Sequence, residues 1–165
     1  IGQSNPGYTY TFTAGGDYKG FDLAMFWQGT FKIDTYVTAN LAQPYKNGAG
    51  VTRDWLTDSW TPENPNASLP RLTTANGYPQ NFQVSDFWLQ SIAYLRLKNI
   101  QLGYTLPGNV VKKLGLSKVR LYVNGQNMIT VSKFRLGDPE RDPAAAGVVA
   151  YPIAKVASFG LNVSF

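Results

Sequence analysis

Residues Ile153–Phe165 read I-A-K-V-A-S-F-G-L-N-V-S-F and give the strongest indication of the fold. Apolar side chains share one face of it and small or polar side chains share the other, which is the two-residue period of a β-strand. The apolar face consists of Ile153, Phe159, Leu161, Val163 and Phe165. At about 3.3 Å per residue the strand is roughly 43 Å long, about twice the usual length in soluble proteins. Such a strand is long enough to cross the roughly 25 Å apolar band of an outer-membrane barrel, although a long edge strand of a soluble sandwich is the alternative.

The composition restricts the class of protein further. The chain is 14% aromatic and only 15% charged, which is a low share of charge for a soluble protein. It contains neither cysteine nor histidine, so disulfides and thiolate metal sites are excluded and the commonest catalytic base is missing. The net charge is +5, but the basic residues do not form the dense stripe that nucleic-acid binding requires. No apolar run approaches the length of a membrane helix, so a membrane crossing would have to be made by strands.

Alternating patterns elsewhere in the chain predict further strands, joined by connections that are alternately short and long. The predicted strands lie near residues 7–15, 21–32, 88–106, 118–131 and 153–165. Periodicity is lost near 33–87 and 132–152, apart from a short helix predicted at 54–60. A loop as long as the first is improbable in a compact soluble domain but ordinary on the extracellular side of an outer-membrane barrel. Because five strands are too few to close a barrel, the remaining wall is expected to come from residues outside this sequence.

Several motifs resemble one family. Tyr94–Pro107 reads Y-L-R-L-K-N-I-Q-L-G-Y-T-L-P and resembles the LRLKN-x-x-LGYTLP stretch of SusC/RagA-type TonB-dependent outer-membrane transporters. Further resemblances follow in the family's order and cover most of the chain outside 33–87: Asn5–Pro6, Asp17–Asp22, Lys112–Leu116, Val119–Asn127, Asp138–Glu140 and Ser158–Phe165.

The resemblance implies an all-β fold in which residues 1–165 form the C-terminal five or so antiparallel strands of a large transmembrane β-barrel with long extracellular loops. It also implies an importer of oligosaccharides or peptides in the outer membrane of a Gram-negative, Bacteroidetes-type bacterium. The plug domain and the TonB-binding segment of such importers are absent from this sequence. No enzymatic activity, cofactor or nucleic-acid partner is expected.

The partners that the resemblance implies are the rest of the barrel and its plug, a SusD-like surface lipoprotein, the TonB complex, and the outer-membrane lipids. The outer-membrane assembly machinery is a further partner, because the closing aromatic of such barrels resembles the signal that this machinery reads. The residues expected to carry that signal are Phe159, Leu161, Val163 and Phe165.

Two groups of side chains are candidates for contact with substrate or partner. Trp55, Trp60 and Tyr78 lie in the long loop and would stack on sugar rings or pack against the lipoprotein, unless they form the loop's own core. A second group, Tyr122, Asn124 and Gln126, shares the polar face of its strand. These residues would line the substrate path, or alternatively bond to the plug.

Chemistry other than transport finds little support. The acidic run Asp138, Glu140 and Asp142 offers oxygen ligands for Ca²⁺, but it lacks the glycine and the distal glutamate of a loop-type site, so a turn is the preferred interpretation. No metal site and no catalytic residue are predicted. Two alternatives to an importer remain open, namely a soluble all-β carbohydrate-binding module and an outer-membrane adhesin barrel. The imported compound is not indicated by the sequence.

Overall fold

The protein is described by a computed structural model that covers residues 2–74, 77–113, 115–141 and 151–165. The chain divides into two compact units, although the sequence predicts a single segment. We call the first the loop unit, which consists of Ile1–Gly7, Phe31–Tyr94 and Ser132–Pro152. We call the second the sheet unit, which consists of Tyr8–Thr30, Leu95–Val131 and Ile153–Phe165.

Most of the regular structure is β-strand. The strands are β1 Tyr8–Tyr18, β2 Phe21–Phe31, β3 Asp34–Tyr36, β4 Leu89–Ser91, β5 Tyr94–Thr105, β6 Lys118–Ser132 and β7 Val156–Ser164. The α-helices are short: α1 Ala39–Ala42, α2 Arg53–Thr57 and α3 Gly108–Lys113. Among the residues just defined, no helix has the length and apolarity needed to span a membrane.

The long strands form one antiparallel sheet in the order β1-β2-β5-β6-β7. This arrangement confirms the predicted all-β class and its set of long antiparallel strands. The two outer strands, β1 and β7, each have one edge that pairs with no other strand in the described part of the chain. The sheet is therefore open at both sides, as a segment cut from a larger closed sheet would be.

The hairpin between β1 and β2 is tighter than the glycine-rich sequence suggests. Its turn is formed by Lys19 and Gly20 alone, with φ values of 48° and 88°. Two consecutive positive φ angles match the twist of a two-residue hairpin. Gly15 lies inside β1, where a Cβ would lie 2.6 Å from the carbonyl oxygen of Leu23. The glycine thus serves a close approach between strands rather than a turn.

The register of β6 with β7 fixes which side chains share a face. Leu121 lies opposite Leu161, Val123 opposite Phe159 and Val119 opposite Val163. Because faces alternate along a strand, these paired apolar residues lie on one face of the sheet. The other face carries the pairs Arg120–Asn162, Tyr122–Gly160 and Asn124–Ser158.

The alternation in β6 is interrupted at Asn127, which has a φ of 55°. A Cβ placed on Gly125 would lie 2.7 Å from Cγ of Met128, so Met128 lies over the face to which Gly125 belongs. The sequence predicts instead that Ile129 and Val131 continue the apolar face of Val119–Val123. An extra residue at a left-handed position shifts the phase by one, which is the effect of a β-bulge.

The loop unit is organised around a hydrophobic core. Its buried members are Val37, Leu41, Ala42, Trp55, Leu69, Trp88, Ile92, Phe134 and Leu136. Most of these residues come from the stretches that the sequence predicts as extracellular loops, 33–87 and 132–152, while Trp88 and Ile92 come from the predicted strand 88–106. Residues 142–150 lie outside the described part. The loops are therefore one packed body and not extended, structureless connections.

The predicted continuous strand over 88–106 is wrong in its first part. A short strand, β4, pairs antiparallel with β3, and β5 begins only at Tyr94. Between them the side chain of Ile92 is buried in the core of the loop unit, and its backbone N–H donates to the carbonyl of Ile33. The chain leaves the strand because burying Ile92 stabilises the loop unit.

Candidate functional site

The polar face of the sheet unit carries an ion pair that links two strands separated by a third. Arg120 on β6 donates to Asp22 on β2 through two nitrogens, with Nε 2.9 Å from Oδ1 and Nη2 bonded to Oδ2. The same Nη2 lies 3.1 Å from Oε1 of Gln101 on the intervening strand β5. The guanidinium passes over Gly103, where a Cβ would collide with both charged groups. A bidentate pair of this kind fixes orientation as well as distance.

Tyr122 extends this cluster to the outermost strand of the sheet. The guanidinium carbon of Arg120 lies 5.1 Å from the centre of the Tyr122 ring, a distance at which a cation is attracted to an aromatic face. On its other side the ring covers Gly160 of β7, so that a Cβ on Gly160 would overlap the ring. The predicted site residue Tyr122 is therefore half-buried between an arginine and a glycine and forms part of a network across four strands.

Substituting Gly160 tests this packing. We expect Gly160→Val to lower the stability of the folded protein by about 1–3 kcal/mol, because the new side chain displaces the Tyr122 ring. The control is Gly16→Val on β1, where an added Cβ would meet nothing within 4 Å. The measurement is the temperature at which the folded, heat-modifiable band is lost on unboiled gels. Equal midpoints for the two variants would contradict the described contact.

The other predicted polar-face residues do not take part in the ion-pair cluster. Asn124 is half-buried and lies opposite Ser158, while Gln126 is exposed and lies opposite Val156 at the end of the β6–β7 pairing. They share the face of Tyr122 by register, and their contact with a substrate or a plug stays a prediction.

The opposite face of the sheet unit is apolar and exposed. Phe159 is 86% exposed and Leu161 is 55% exposed, and their partners Val123 and Leu121 are exposed to similar or smaller degrees. Water-exposed apolar rows of this extent are rare on soluble monomers and mark an interaction with another protein or with a membrane. Val163 and Phe165 are exposed as well, and the assembly-signal role predicted for this segment stays a prediction.

The predicted contact role of Trp55 is contradicted by its position. Its side chain is 1% exposed, in the core of the loop unit, and its indole N–H donates to the carbonyl of Leu41 at 3.0 Å. The alternative interpretation, a core residue of the loops, is the one that the structure supports for this tryptophan. The reason is that helix α2 turns Trp55 inward, so the sequence alone could not assign its face.

Trp60 and Tyr78, by contrast, are 40% and 45% exposed and line the same open cavity of about 460 Å³ in the loop unit. The sequence pattern does not single out the other residues that line the cavity, which include a third exposed aromatic side chain, Phe87. The remaining lining residues are Ala67, Leu69, Pro70, Arg71 and Asn81. No local pattern singles out Phe87, because packing alone decides which ring of the adjacent pair Phe87-Trp88 is buried.

Trp88 holds this cavity in shape from behind. It is 1% exposed, and its indole N–H donates to the carbonyl of Asn81 at 3.0 Å. The Phe87 ring meets it edge-on, with centroids 4.9 Å apart and an interplanar angle of 87°. Trp60 is positioned independently, because its backbone N–H donates to the carbonyl of Leu69. Phe87 and Trp60 are thus attached to the buried core and are not on free loop ends.

An ion-pair cluster fixes the two sides of the loop unit to each other. Arg135 donates from Nη2 to Asp54 and from Nη1 to Asp58, both at 3.1 Å. Asp58 also accepts hydrogen bonds from the hydroxyl and the backbone N–H of Ser68. These hydrogen bonds from Ser68, followed by the charge of Arg135, lower the pKa of Asp58 below its ordinary value. The carboxylate form is therefore favoured by folding.

This lowered pKa predicts a pH dependence with a definite sign. Because the folded-state pKa is below the unfolded one, Asp58 stabilises the loop unit above the unfolded value, and this contribution is lost as pH falls through the folded value. We expect the unfolding temperature of the loop unit to decrease as pH falls below about 4, the ordinary value for an aspartate, and less so in Asp58→Asn. The control is Glu63→Gln, an exposed residue of the same unit. Identical pH profiles for Asp58→Asn and the wild type would contradict this assignment.

Within the described residues, no three acidic side chains converge closely enough to hold a metal ion. Of the acidic run singled out in the sequence, Asp138 caps a turn by accepting the backbone N–H of Glu140 at 3.0 Å. Asp142 lies outside the described part of the chain.

The comparisons with known proteins agree with the geometry. No family model matches the chain. The chain is 30% identical, over its whole length, to TonB-dependent receptor P3 of Formosa agariphila. It is also 28% identical, over 89% of its length, to TonB-dependent receptor SusC of Bacteroides thetaiotaomicron. It spans only 17% and 14% of the lengths of these two relatives.

Solved structures with the same chain trace belong to a peptide importer. The RagAB peptide importer in its closed-closed state matches 98% of this chain with a TM-score of 0.68 and 27% identity. The RagAB peptide transporter matches 97% with a TM-score of 0.71 and 25% identity. In each case the match covers 17% of the larger chain. This chain therefore matches one part of each of these much longer chains.

Proposed function

We propose that this chain, whose sequence and fold are those of a segment of a SusC/RagA-type TonB-dependent receptor, builds part of the wall of an outer-membrane importer. In this proposal the sheet unit is the C-terminal part of the barrel wall, and the loop unit is exposed on the extracellular side. The rest of the barrel and the plug that fills it would come from the remainder of the receptor.

The observation that carries this proposal is the difference between the two faces of the sheet unit. One face presents the exposed apolar rows of β6 and β7, while the other holds Arg120 hydrogen-bonded to Asp22, with the guanidinium against the Tyr122 ring. A barrel wall requires this pattern, because acyl chains cover its outside and polar protein or water fills its inside. The outer edges of β1 and β7, which pair with no other strand among the described residues, support the same proposal, since further strands would continue the wall on both sides.

The importer would act on nutrients too large for passive diffusion, taking up oligosaccharides or peptides with a SusD-like surface lipoprotein and with energy from TonB. Support comes from the relatives, which are TonB-dependent receptors, and from the RagAB structures, which are those of a peptide importer or transporter. An enzymatic role is not proposed, since those relatives are receptors and transporters.

Within this function the network on the polar face would define part of the interior. Tyr122, Asn124 and Gln126 would contact the plug or the passing substrate. The closing stretch with Phe159, Leu161, Val163 and Phe165 would serve membrane insertion through the assembly machinery.

The proposal is tested by uptake in cells that lack this receptor. We expect its full-length gene to restore outer-membrane uptake of one nutrient class, in a strain with intact TonB and not in a strain lacking TonB. The alternative, a soluble carbohydrate-binding module, predicts that the protein fractionates without the outer membrane and needs no detergent. Recovery of the folded receptor from the soluble fraction would overturn the importer proposal in favour of that module.

A further inference from the structure

We propose that the aromatic cavity of the loop unit binds an acidic saccharide, with Arg71 as the residue that selects its negative charge. The inference deepens the proposed importer function, on which it rests, by assigning a substrate class to one cavity. The cavity is formed within a single compact unit, by Trp60, Tyr78, Phe87 and Arg71 together with their neighbours.

The cavity combines aromatic ring faces with free polar groups. Trp60, Tyr78 and Phe87 expose between 40% and 47% of their surface. The indole N–H of Trp60 and the hydroxyl of Tyr78 make no hydrogen bond with any described residue. Flat apolar faces beside free donors suit a sugar ring, which has an apolar C–H face and a rim of hydroxyl groups.

The cavity also carries a positive charge, on Arg71. Arg71 is exposed and is the one ionised side chain among the described residues that line the cavity. The described part of the chain provides no carboxylate partner for it, whereas the cations Arg120 and Arg135 are both neutralised by aspartates. A guanidinium without a partner, next to aromatic faces, favours a ligand with a carboxylate, which it can bind through two parallel hydrogen bonds.

The walls of the cavity are held in place by packing and backbone hydrogen bonds. Phe87 rests edge-on against buried Trp88, and the backbone of Trp60 is bonded to Leu69 in the core. Pro79 begins the short helical turn Pro79–Phe82, which follows Tyr78 directly and restricts its backbone. A cavity whose walls are already ordered loses little entropy when a ligand binds, which distinguishes a binding site from a chance opening between loops.

The test measures binding of two tetrasaccharides to the full-length receptor in detergent by calorimetry. One probe is tetragalacturonate, which carries carboxylates, and the other is maltotetraose, which is neutral. We expect the wild type to bind tetragalacturonate about tenfold or more tightly than maltotetraose, and Arg71→Gln to remove most of that preference. Trp60→Ala and Phe87→Ala are expected to weaken tetragalacturonate binding about tenfold, because truncation removes a ring face.

The matched control is Tyr45→Ala, which removes an exposed aromatic side chain of the same unit that does not line the cavity. The proposal is overturned if the wild type does not prefer tetragalacturonate, or if the cavity variants bind it as tightly as Tyr45→Ala does. It is also overturned if the cavity variants keep saccharide affinity but lose association with a surface lipoprotein, since the cavity would then be a protein-docking site.

Failure of the importer proposal would look different from failure of the cavity proposal. If the wild type binds tetragalacturonate in an Arg71-dependent way but supports no TonB-dependent uptake, the importer proposal is refuted and the cavity proposal stands. Uptake that is unchanged in every cavity variant, together with unchanged binding, would refute the cavity alone. Proteolytic fragment patterns that match the wild type establish that each variant is folded.

Discussion

Replacing Leu161 by arginine is expected to reduce strongly the amount of receptor that folds into the outer membrane. Leu161 is 55% exposed on the apolar face and lies next to the middle of β7. An arginine at the lipid-facing centre of a barrel strand costs about 2–4 kcal/mol, because its charge must leave water or distort the bilayer. The measurement is the heat-modifiable folded fraction in isolated outer membranes, normalised to total expressed receptor.

The matched control is Ser158→Arg on the opposite face of the same strand. Ser158 lies opposite the uncharged Asn124, so the new charge would point to the polar interior and would meet no arginine across the pair. Asn162 would be a poorer control, because it lies directly opposite Arg120, and like charges in that position repel. We expect Ser158→Arg to insert nearly as well as the wild type. Similar losses for both variants would show that the faces are assigned wrongly.

Truncating Trp88 to alanine is expected to unfold the loop unit. Its side chain is buried, contacts the rings of Trp55, Phe82 and Phe87, and bonds to Asn81. Trp→Ala changes in a core typically cost about 3–5 kcal/mol, because a large cavity remains and the contacts around it are lost. The measurement is limited proteolysis of the full-length receptor, in which new cleavage sites are expected within 33–87.

The control for this variant is Trp60→Ala, the same substitution at an exposed position of the same unit. Surface substitutions usually change stability by less than about 0.5 kcal/mol, so we expect its fragment pattern to match the wild type. If Trp88→Ala were as resistant to protease as Trp60→Ala, the loop unit could not depend on the described core.

The long strands were predictable because lipid imposes a simple rule on sequence. Every second residue of β7 must be apolar where acyl chains cover it, so the alternation from Phe159 to Val163 is visible without any knowledge of neighbours. The polar face is predictable only as a face. That Arg120 selects Asp22 across 98 positions of sequence depends on the strand order β2-β5-β6, which local patterns do not encode.

The loop unit was not predictable, because its core has no period. Val37, Trp55 and Phe134 come from distant parts of the chain and meet through short helices and irregular segments. Asp86, Phe87 and Trp88 form a single 3₁₀ turn in which one aromatic ring is buried and its neighbour is exposed. Composition could identify these aromatics as candidates, but only the tertiary packing decides that Trp55 stabilises the core while Trp60 faces a cavity.

Spin labels on single cysteines test which face of the sheet is in contact with lipid. This segment contains no cysteine, so labels can be introduced one at a time at Phe159, Leu161 and Val163, and for comparison at Ser158 and Asn162. The measurement is the collision rate of each label with oxygen, which concentrates in lipid, relative to a water-soluble nickel chelate, in proteoliposomes of the full-length receptor. We predict a two-residue alternation, with the first three positions accessible to oxygen and the other two shielded from it. Uniform access to the nickel chelate, or an alternation of the opposite phase, would show that the apolar face of the sheet does not face lipid.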